Sequence, residues 1–326
     1  MHPRTYNEVL RRFAKEMYRE KVGREVVEAG LLGVQLEFFW AQGLMRPTWR
    51  LMREWAIREP WGFRTPALEE EVQGAIGLAF LIGWGSLGFS MWIAWEGLLR
   101  PGEVARLQKR TVRRCSDMVS GLGGSAVATI EKPKTRKVFA RVQHAMLEDE
   151  VLVELLMRWL ETLEEEERIW PFSLSTLGRR LKTPLMMVCP QTMTRARVEA
   201  LWTFACIRAG KATALWMRER NLPKLRLQGR WKREATLEHY VQEAVARLAC
   251  HRLPKPERES LEVLKRGAVR WATEWVEAQE RQWRWRMHVM QGRRPPARAE
   301  QEGDAAEEAR GEDSDEDSLE DNSEEW

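Results

Sequence analysis

The sequence predicts a mainly α-helical protein with one small β-hairpin or sheet. Three observations lead there. Apolar residues recur at near-helical intervals through residues 1–60, at Leu10, Phe13 and Met17, then Val26, Leu31, Leu32 and Leu36. One pair of short β-prone runs, 126–130 and 138–142, flanks the polar turn Glu131-Lys-Pro-Lys-Thr-Arg136 and reads as a hairpin. Residues 256–291 read as one long helix rich in Arg and Trp (Trp271, Trp275, Trp283, Trp285), stopped by Arg-Arg-Pro-Pro at 293–296.

The other elements are taken in chain order. Pro60 and Pro66 bracket a loop, which separates a short helical N-terminal region, 1–65, from a larger body spanning 66–250. In that body, helices are expected over 67–82 and 89–108 before the hairpin. Further helices are expected over 149–163, 174–181, 193–205 and 209–219, and a short one over 234–248 closes the set. A helical extension occupies 251–300. Residues 301–326 carry too little apolar content to fold and are expected to form a disordered acidic tail.

Charge is distributed unevenly. The net charge is +4, but residues 302–326 hold 13 acidic residues and one basic one, leaving 52 basic and 36 acidic residues and a net +16 over 1–301. Such a body suits a polyanionic partner. Arg11, Arg12, Lys15, Arg19, Lys21 and Arg24 crowd the N-terminal helices, which suits a reduced DNA-clamping region or a plain solvated face. The acidic tail reads as a solubilising segment or as a mimic of the polyanion.

The 17 tryptophans are expected mostly as core or interface anchors. Cys115, Cys189, Cys206 and Cys250 are scattered with no Cys-x-x-Cys, and the five histidines make no metal-spaced pair, so neither a disulfide framework nor a metal centre is expected. The start, MHPRTYNEVLRRF, lacks an apolar signal core, so an intracellular location is expected, nuclear in a eukaryote. The charge-free run 74–95 is 22 residues long, enough to span a bilayer, but its five glycines and the turn-like GWGSLG favour two short buried helices.

Five side chains carry the chemistry: Arg100 in LLRPGEVARL, Lys134 in the hairpin turn, Arg208 in IRAGKATAL, then Trp231 and Tyr240 in GRWKREATLEHY. A phosphodiester cut needs these types. A tyrosine supplies an oxygen nucleophile that stores the bond energy as a phosphotyrosyl ester. Two guanidiniums clamp the non-bridging oxygens, where charge grows in the transition state. An ammonium protonates the departing 5′ oxygen, and an indole N–H adds one donor to the phosphate. Nine residues on one continuous helix would put Trp231 and Tyr240 on opposite faces, so they share a site only if the chain bends between them.

The ordered set resembles the catalytic domain of the tyrosine recombinases (phage integrase-type). Its motif style is nearest to the versions encoded by eukaryotic mobile elements, and the resemblance covers about residues 66–245. It implies the recombinase catalytic-domain fold behind a short helical N-terminal region. It implies that Arg100 and Arg208 clamp the phosphate, Lys134 is the general acid, Trp231 fills the His/Trp position and Tyr240 is the nucleophile. It further implies double-stranded DNA as partner, a 3′-phosphotyrosyl intermediate with no metal or other cofactor, and a dimer or tetramer on DNA that exchanges its C-terminal helix. The helix over 256–291 suits that exchange, or equally packing on its own domain.

The chain departs from the family pattern at Ala205, where the second box usually carries His. Alanine moves no proton and gives no hydrogen bond. Either the chemistry is slower, or a substitute such as His144 or Lys211 serves, or the chain is a degenerate recombinase that binds DNA without cutting it. Lys132 and Lys137 share the turn with Lys134 and compete for the general-acid role.

Overall fold

The computed structural model describes residues 3–59, 66–117, 124–133, 142–189, 202–232, 234–238, 240–241, 243–250 and 253–291. The chain divides into two compact units, Met1–Phe63 and Arg64–Trp326.

The first unit is a three-helix cluster: α1 (Pro3–Arg19), α2 (Arg24–Glu37) and α3 (Arg46–Arg58). Ala14, Val27, Leu31, Met45, Met52 and Trp55 form its core, with the Tyr18 ring set edge-on to Trp55 at 5.1 Å. Thr48 Oγ1 donates to Asn7 Oδ1 at 2.7 Å and ties α3 to α1. Arg11, Arg12, Lys15, Arg19 and Lys21 are exposed. Arg24 leaves that basic face, because its side chain is buried and donates to the Glu59 carbonyl at 3.1 Å.

The second unit is mainly helical around a small antiparallel sheet. Its helices begin with α4 (Glu69–Leu81), α5 (Gly85–Glu96) and the single turn α6 (Pro101–Val104). Then come β1 (Val112–Arg114), β2 (Ala126–Ile130) and β3 (Gln143–Leu147), in sheet order β1-β2-β3. The remaining helices are α7 (Glu150–Leu160), α8 (Leu174–Val188), α9 (Phe204–Glu219), α10 (Leu222–Gln228), α11 (Glu234–Glu238), α12 (Glu243–Cys250) and α13 (Lys255–Met290).

Several boundaries differ from the sequence expectation, each for a local reason. The helix expected over 89–108 breaks at Gly97–Leu98, where Leu98 takes a left-handed φ of 48° and Pro101 restarts the chain at the first position of α6. The strand that pairs with β2 is 143–147, in register Ala128↔Ala145, and not 138–142, of which 138–141 lie outside the described residues. Alternate residues of β2 and β3 are buried, so Ala126, Ala128, Ile130, Gln143, Ala145 and Leu147 face the core. The short β1 has no counterpart in the sequence expectation; three residues show too little alternation to register. Helix α8 runs on to Val188 through a buried Pro184. The helix expected over 234–248 is two, α11 and α12, with Tyr240 in the turn between them. Residues 193–201 of another expected helix and the tail 301–326 lie outside the described residues.

The charge-free run forms α4 and α5 with a break at Gly83 (φ 82°), and no described helix is long and apolar enough to cross a membrane. Helix α4 is buried because α13 packs along it, and α5 because it lies against α4 and α9. The glycines of α4 permit the close approach: a Cβ on Gly74 would meet Leu261, and one on Gly77 would meet the Leu264 carbonyl. The long Trp-rich helix is therefore packed on its own unit. Trp275 sits in an aromatic knot, 5.1 Å from the Trp159 ring and 6.0 Å from Phe89, which itself stacks on Trp159 at 5.0 Å. Beyond it, Arg158 forks onto Glu280 with bonds of 2.9 and 3.0 Å. Gly77→Ala forces backbone apart in this seam, and overpacking of that kind costs about 1–3 kcal/mol. Urea unfolding should show a lower midpoint for Gly77→Ala; an unchanged midpoint would show that α4 and α13 do not need their close approach.

Candidate active site

The site grows from three backbone features. The first is the Gly97–Leu98 turn after α5, whose carbonyls accept hydrogen bonds from arginine side chains. The second is α9, which carries Arg208 in its second turn. The third is the segment Gly229-Arg230-Trp231 after α10, where Arg230 takes a left-handed φ of 55°. That bend, with the short α11, brings Trp231 and Tyr240 together at 5.3 Å between ring centroids. The chain thus bends between them, as a shared site requires. Strained φ values at Leu98 and Arg230 cost about 1–3 kcal/mol each and persist only where surrounding contacts hold them. Here both residues belong to one hydrogen-bonded cluster.

Arg208 is the centre of that cluster and is only 1% exposed. Its Nη1 donates to the Leu98 carbonyl at 2.6 Å and its Nη2 to the Gly229 carbonyl. Its guanidinium carbon lies 4.5 Å from the Trp231 ring centroid and 5.7 Å from that of Tyr240. Only glycine fits at position 229, since a Cβ would strike the Trp231 ring. Leu98, Ala212, Leu215, Leu225, Trp231 and Leu237 form a small core beneath, against which the partly exposed Tyr240 packs. The Thr213 hydroxyl donates to the Tyr240 carbonyl at 3.1 Å and fixes that turn to α9.

Arg100 joins through Glu103. The Glu103 carboxylate accepts from Arg100 Nη1 at 2.7 Å, from the Arg100 backbone N–H at 2.9 Å and from Arg230 Nη2 at 3.1 Å. Arg230 also donates to the Gly97 carbonyl at 2.9 Å and, beside Arg208, to the Leu98 carbonyl at 3.1 Å. Arg230 is a site residue that sequence reasoning misses. Its one signal is its place inside the Gly-Arg-Trp motif, but an arginine beside a candidate residue reads by default as a surface charge.

Electrostatics follow from this geometry. Burial first, then the positive charges of Arg100 and Arg230, push the Arg208 guanidinium down to about 9, while Glu103 pulls the other way. Burial and Arg100 likewise lower Arg230, against Glu103. The arrangement holds positive charge that its own carboxylate only partly offsets, and an anion would relieve it. Burial would raise Glu103, but Arg230 and Arg100 outweigh that and hold its carboxyl below the ordinary range. A depressed carboxyl contributes stability above its unfolded pKa of about 4.3 and loses it as pH falls through the folded value. Glu103→Gln should therefore cost about 3–5 kcal/mol at pH 6, because the buried Arg230 and the partly exposed Arg100 lose their counter-charge. It should also flatten the loss of stability below about pH 4. Urea midpoints at pH 6 and pH 3 measure both, and equal acid sensitivity in the two proteins would contradict the assignment.

Among the described residues, Arg208 Nε, Arg230 Nε and Trp231 Nε1 are buried N–H groups with no acceptor in the protein. Leaving such a donor unpaired costs about 1–3 kcal/mol. Three of them on neighbouring side chains leave an unmet demand for acceptors in this cluster.

Of the expected site residues, Arg100, Arg208, Trp231 and Tyr240 come together. Lys134 and its competitor Lys137 lie outside the described residues. Lys132, the third candidate, is exposed and lines a cleft of about 250 Å³ with Glu103 and Arg106. Ala205 stands buried one turn before Arg208 on α9. Neither expected substitute reaches this cluster. Lys211 is held by Glu96 at 2.8 Å, and His144 Nδ1 lies 3.3 Å from Thr129 Oγ1. Both line a different cleft of about 280 Å³ that includes none of Arg100, Arg208, Trp231 or Tyr240. No protein-family model matches the chain, and no curated protein matches it.

Proposed function

We propose that this protein breaks and rejoins double-stranded DNA by the chemistry of a tyrosine recombinase or integrase, with Tyr240 as nucleophile. The observation that carries the reading is the cluster of Arg208, Arg230 and Trp231, whose unpartnered buried donors adjoin a partly exposed tyrosine. The ordered resemblance of the motifs supports it independently.

In the proposed step the Tyr240 oxygen attacks phosphorus and loses its proton to solvent base. A Tyr–O–P bond forms at the 3′ side, the P–O5′ bond breaks, and the 5′ oxygen leaves as a hydroxyl after gaining a proton. Arg208 and Arg100 offset charge on the non-bridging oxygens, and the Trp231 N–H donates to one of them. The proton donor is the hairpin lysine, Lys134 by the family pattern. Rejoining runs the step backwards with another 5′ hydroxyl. No metal or nucleotide enters the balance. The net positive charge of residues 1–301 supplies sequence-independent affinity for DNA, and by the same resemblance the reaction takes place in an assembly of copies.

A second reading has specific support. With Ala205 in place of a proton-handling residue, and both terminal nitrogens of Arg208 engaged by backbone carbonyls, the chain would grip DNA without cutting it. One experiment separates the two. A pool of randomised duplexes, each nicked and carrying a 5′ label on the nicked strand, is incubated with the full chain and denatured. The enzyme reading expects labelled protein that survives denaturation, because the short fragment beyond the cut diffuses away and blocks rejoining. DNA retained before denaturation but not after selects the binding protein. No retention at low salt removes both.

A further inference from the structure

We infer that Arg230 is a positioning residue of this site: as counter-ion to Glu103, it leaves the charges of Arg100 and Arg208 uncompensated for the reacting phosphate. This rests on the recombinase reading and deepens it.

Glu103 poses a difficulty for a two-arginine clamp. It is 3% exposed and takes two hydrogen bonds from Arg100, one from the side chain and one from the backbone. Taken alone, that pair cancels. A clamp of Arg100 and Arg208 would then present one net positive charge, and the Arg100 guanidinium would be committed to its own carboxylate. Attack by tyrosine on a phosphodiester builds a phosphorane with two negative charges on its oxygens. One net charge would leave the transition state no better matched than the ground state, and only the difference between them speeds the step.

Arg230 resolves the charge balance, while Arg100 Nη1 keeps its 2.7 Å bond to Glu103. Its Nη2 reaches the second Glu103 oxygen at 3.1 Å, and its side chain is buried at 5% exposure. Three guanidiniums against one carboxylate leave two positive charges, the number the phosphorane carries. The ion pair spans two segments that only the fold brings together, α6 and the turn after α10. It therefore locks Arg100's element to Trp231's.

Geometry points the same way. Arg208 and Arg230 both donate to the Leu98 carbonyl, at 2.6 and 3.1 Å. Arg230 also holds the Gly97 carbonyl at 2.9 Å, so it fixes the turn on which Arg208 rests. A fork with donors on two nitrogens can hold three acceptors in this way, and an ammonium cannot. Arg230 has a left-handed backbone, which costs energy and is kept only because these bonds hold it. A solvated arginine would have no reason to sit there.

The test uses the full chain and the duplex recovered from the randomised pool, in single-turnover adduct formation at saturating DNA. Arg230→Met should slow adduct formation by about 10²–10³-fold, the usual effect of losing one preorganised charge-stabilising group. DNA affinity should stay within about threefold, since most of it comes from exposed cations elsewhere. Arg230→Lys restores the charge but not the fork, and should recover part of the rate. It also covers the case in which Arg230→Met does not fold, which circular dichroism and a urea midpoint would report.

A third measurement separates a charge role from simple support. A methylphosphonate at the scissile position removes one negative oxygen, so the phosphorane carries one charge less. On that substrate the defect of Arg230→Met, or of Arg230→Lys if Met does not fold, should shrink by at least about tenfold relative to wild type. An equal defect on both substrates would overturn the inference, as would folded variants that react at the wild-type rate. If wild type itself forms no adduct, the recombinase reading fails first and this inference falls with it; a reactive wild type with unaffected variants fails this inference alone.

Discussion

Tyr240→Phe forms no covalent adduct with DNA under any condition in which wild type does, and still binds DNA with affinity within about twofold. The expectation is this sharp because the change removes one atom. Phenylalanine keeps the ring that packs 5.3 Å from Trp231 and 5.7 Å from the Arg208 guanidinium, so the small core beneath the site stays filled. The lost hydroxyl costs stability about 1 kcal/mol at most, the worth of an ordinary hydrogen bond. No other tyrosine serves in its place. The chain has three, and the other two, Tyr6 and Tyr18, pack in the cluster of the N-terminal unit. Denaturing gels of labelled duplex read the adduct, and filter retention reads binding. An adduct of wild-type yield from Tyr240→Phe would place the nucleophile elsewhere and end the proposal.

Arg208→Lys loses adduct formation by about 10²–10³-fold while the chain stays folded. Lysine keeps a positive charge in the same pocket but offers one nitrogen where Arg208 bridges the carbonyls of Leu98 and Gly229 and faces the Trp231 ring. An ammonium at this depth also gives up its charge more readily than a guanidinium, because burial and two neighbouring cations both oppose it. Raising the pH from about 7 to about 9 should therefore deepen the defect of Arg208→Lys, as the lysine deprotonates, beyond any change in wild type. Arg208→Ala goes further and leaves both carbonyls unpaired, with a fall in the urea midpoint that Arg208→Lys largely avoids. A lysine variant that reacts at the wild-type rate at both pH values would show that Arg208 only braces the turn.

The legibility of this protein in its sequence is uneven, and the unevenness has physical causes. Helices with strong apolar periodicity, such as those expected over 149–163 and 256–291, lie within a few residues of their observed ends. Gly97 and Pro101 mark a break in the run expected as one helix, but the positive φ of Leu98 has no local signature, and the two arginines that hold its carbonyl stabilise it. The expected return strand, 138–142, falls short of the observed 143–147 because neither run, VFARV or QHAML, alternates clearly enough in sequence to set the register. Only core-facing Gln143, Ala145 and Leu147 decide between them.

The candidate site divides the same way. Residue types, their order, and the requirement that the chain bend between Trp231 and Tyr240 are all present in the sequence, since these depend on local chemistry and helix geometry. The bond between Arg230 and Glu103 is not, since it joins positions 127 residues apart. Nor is the commitment of Lys211 to Glu96, 115 residues away, which removes it from the site. A sequence alone determines which groups are available and which turns they favour. Which of them meet, and so which charges cancel and which are left to act, is decided by packing, because a buried charge takes its partner from whatever the fold sets beside it.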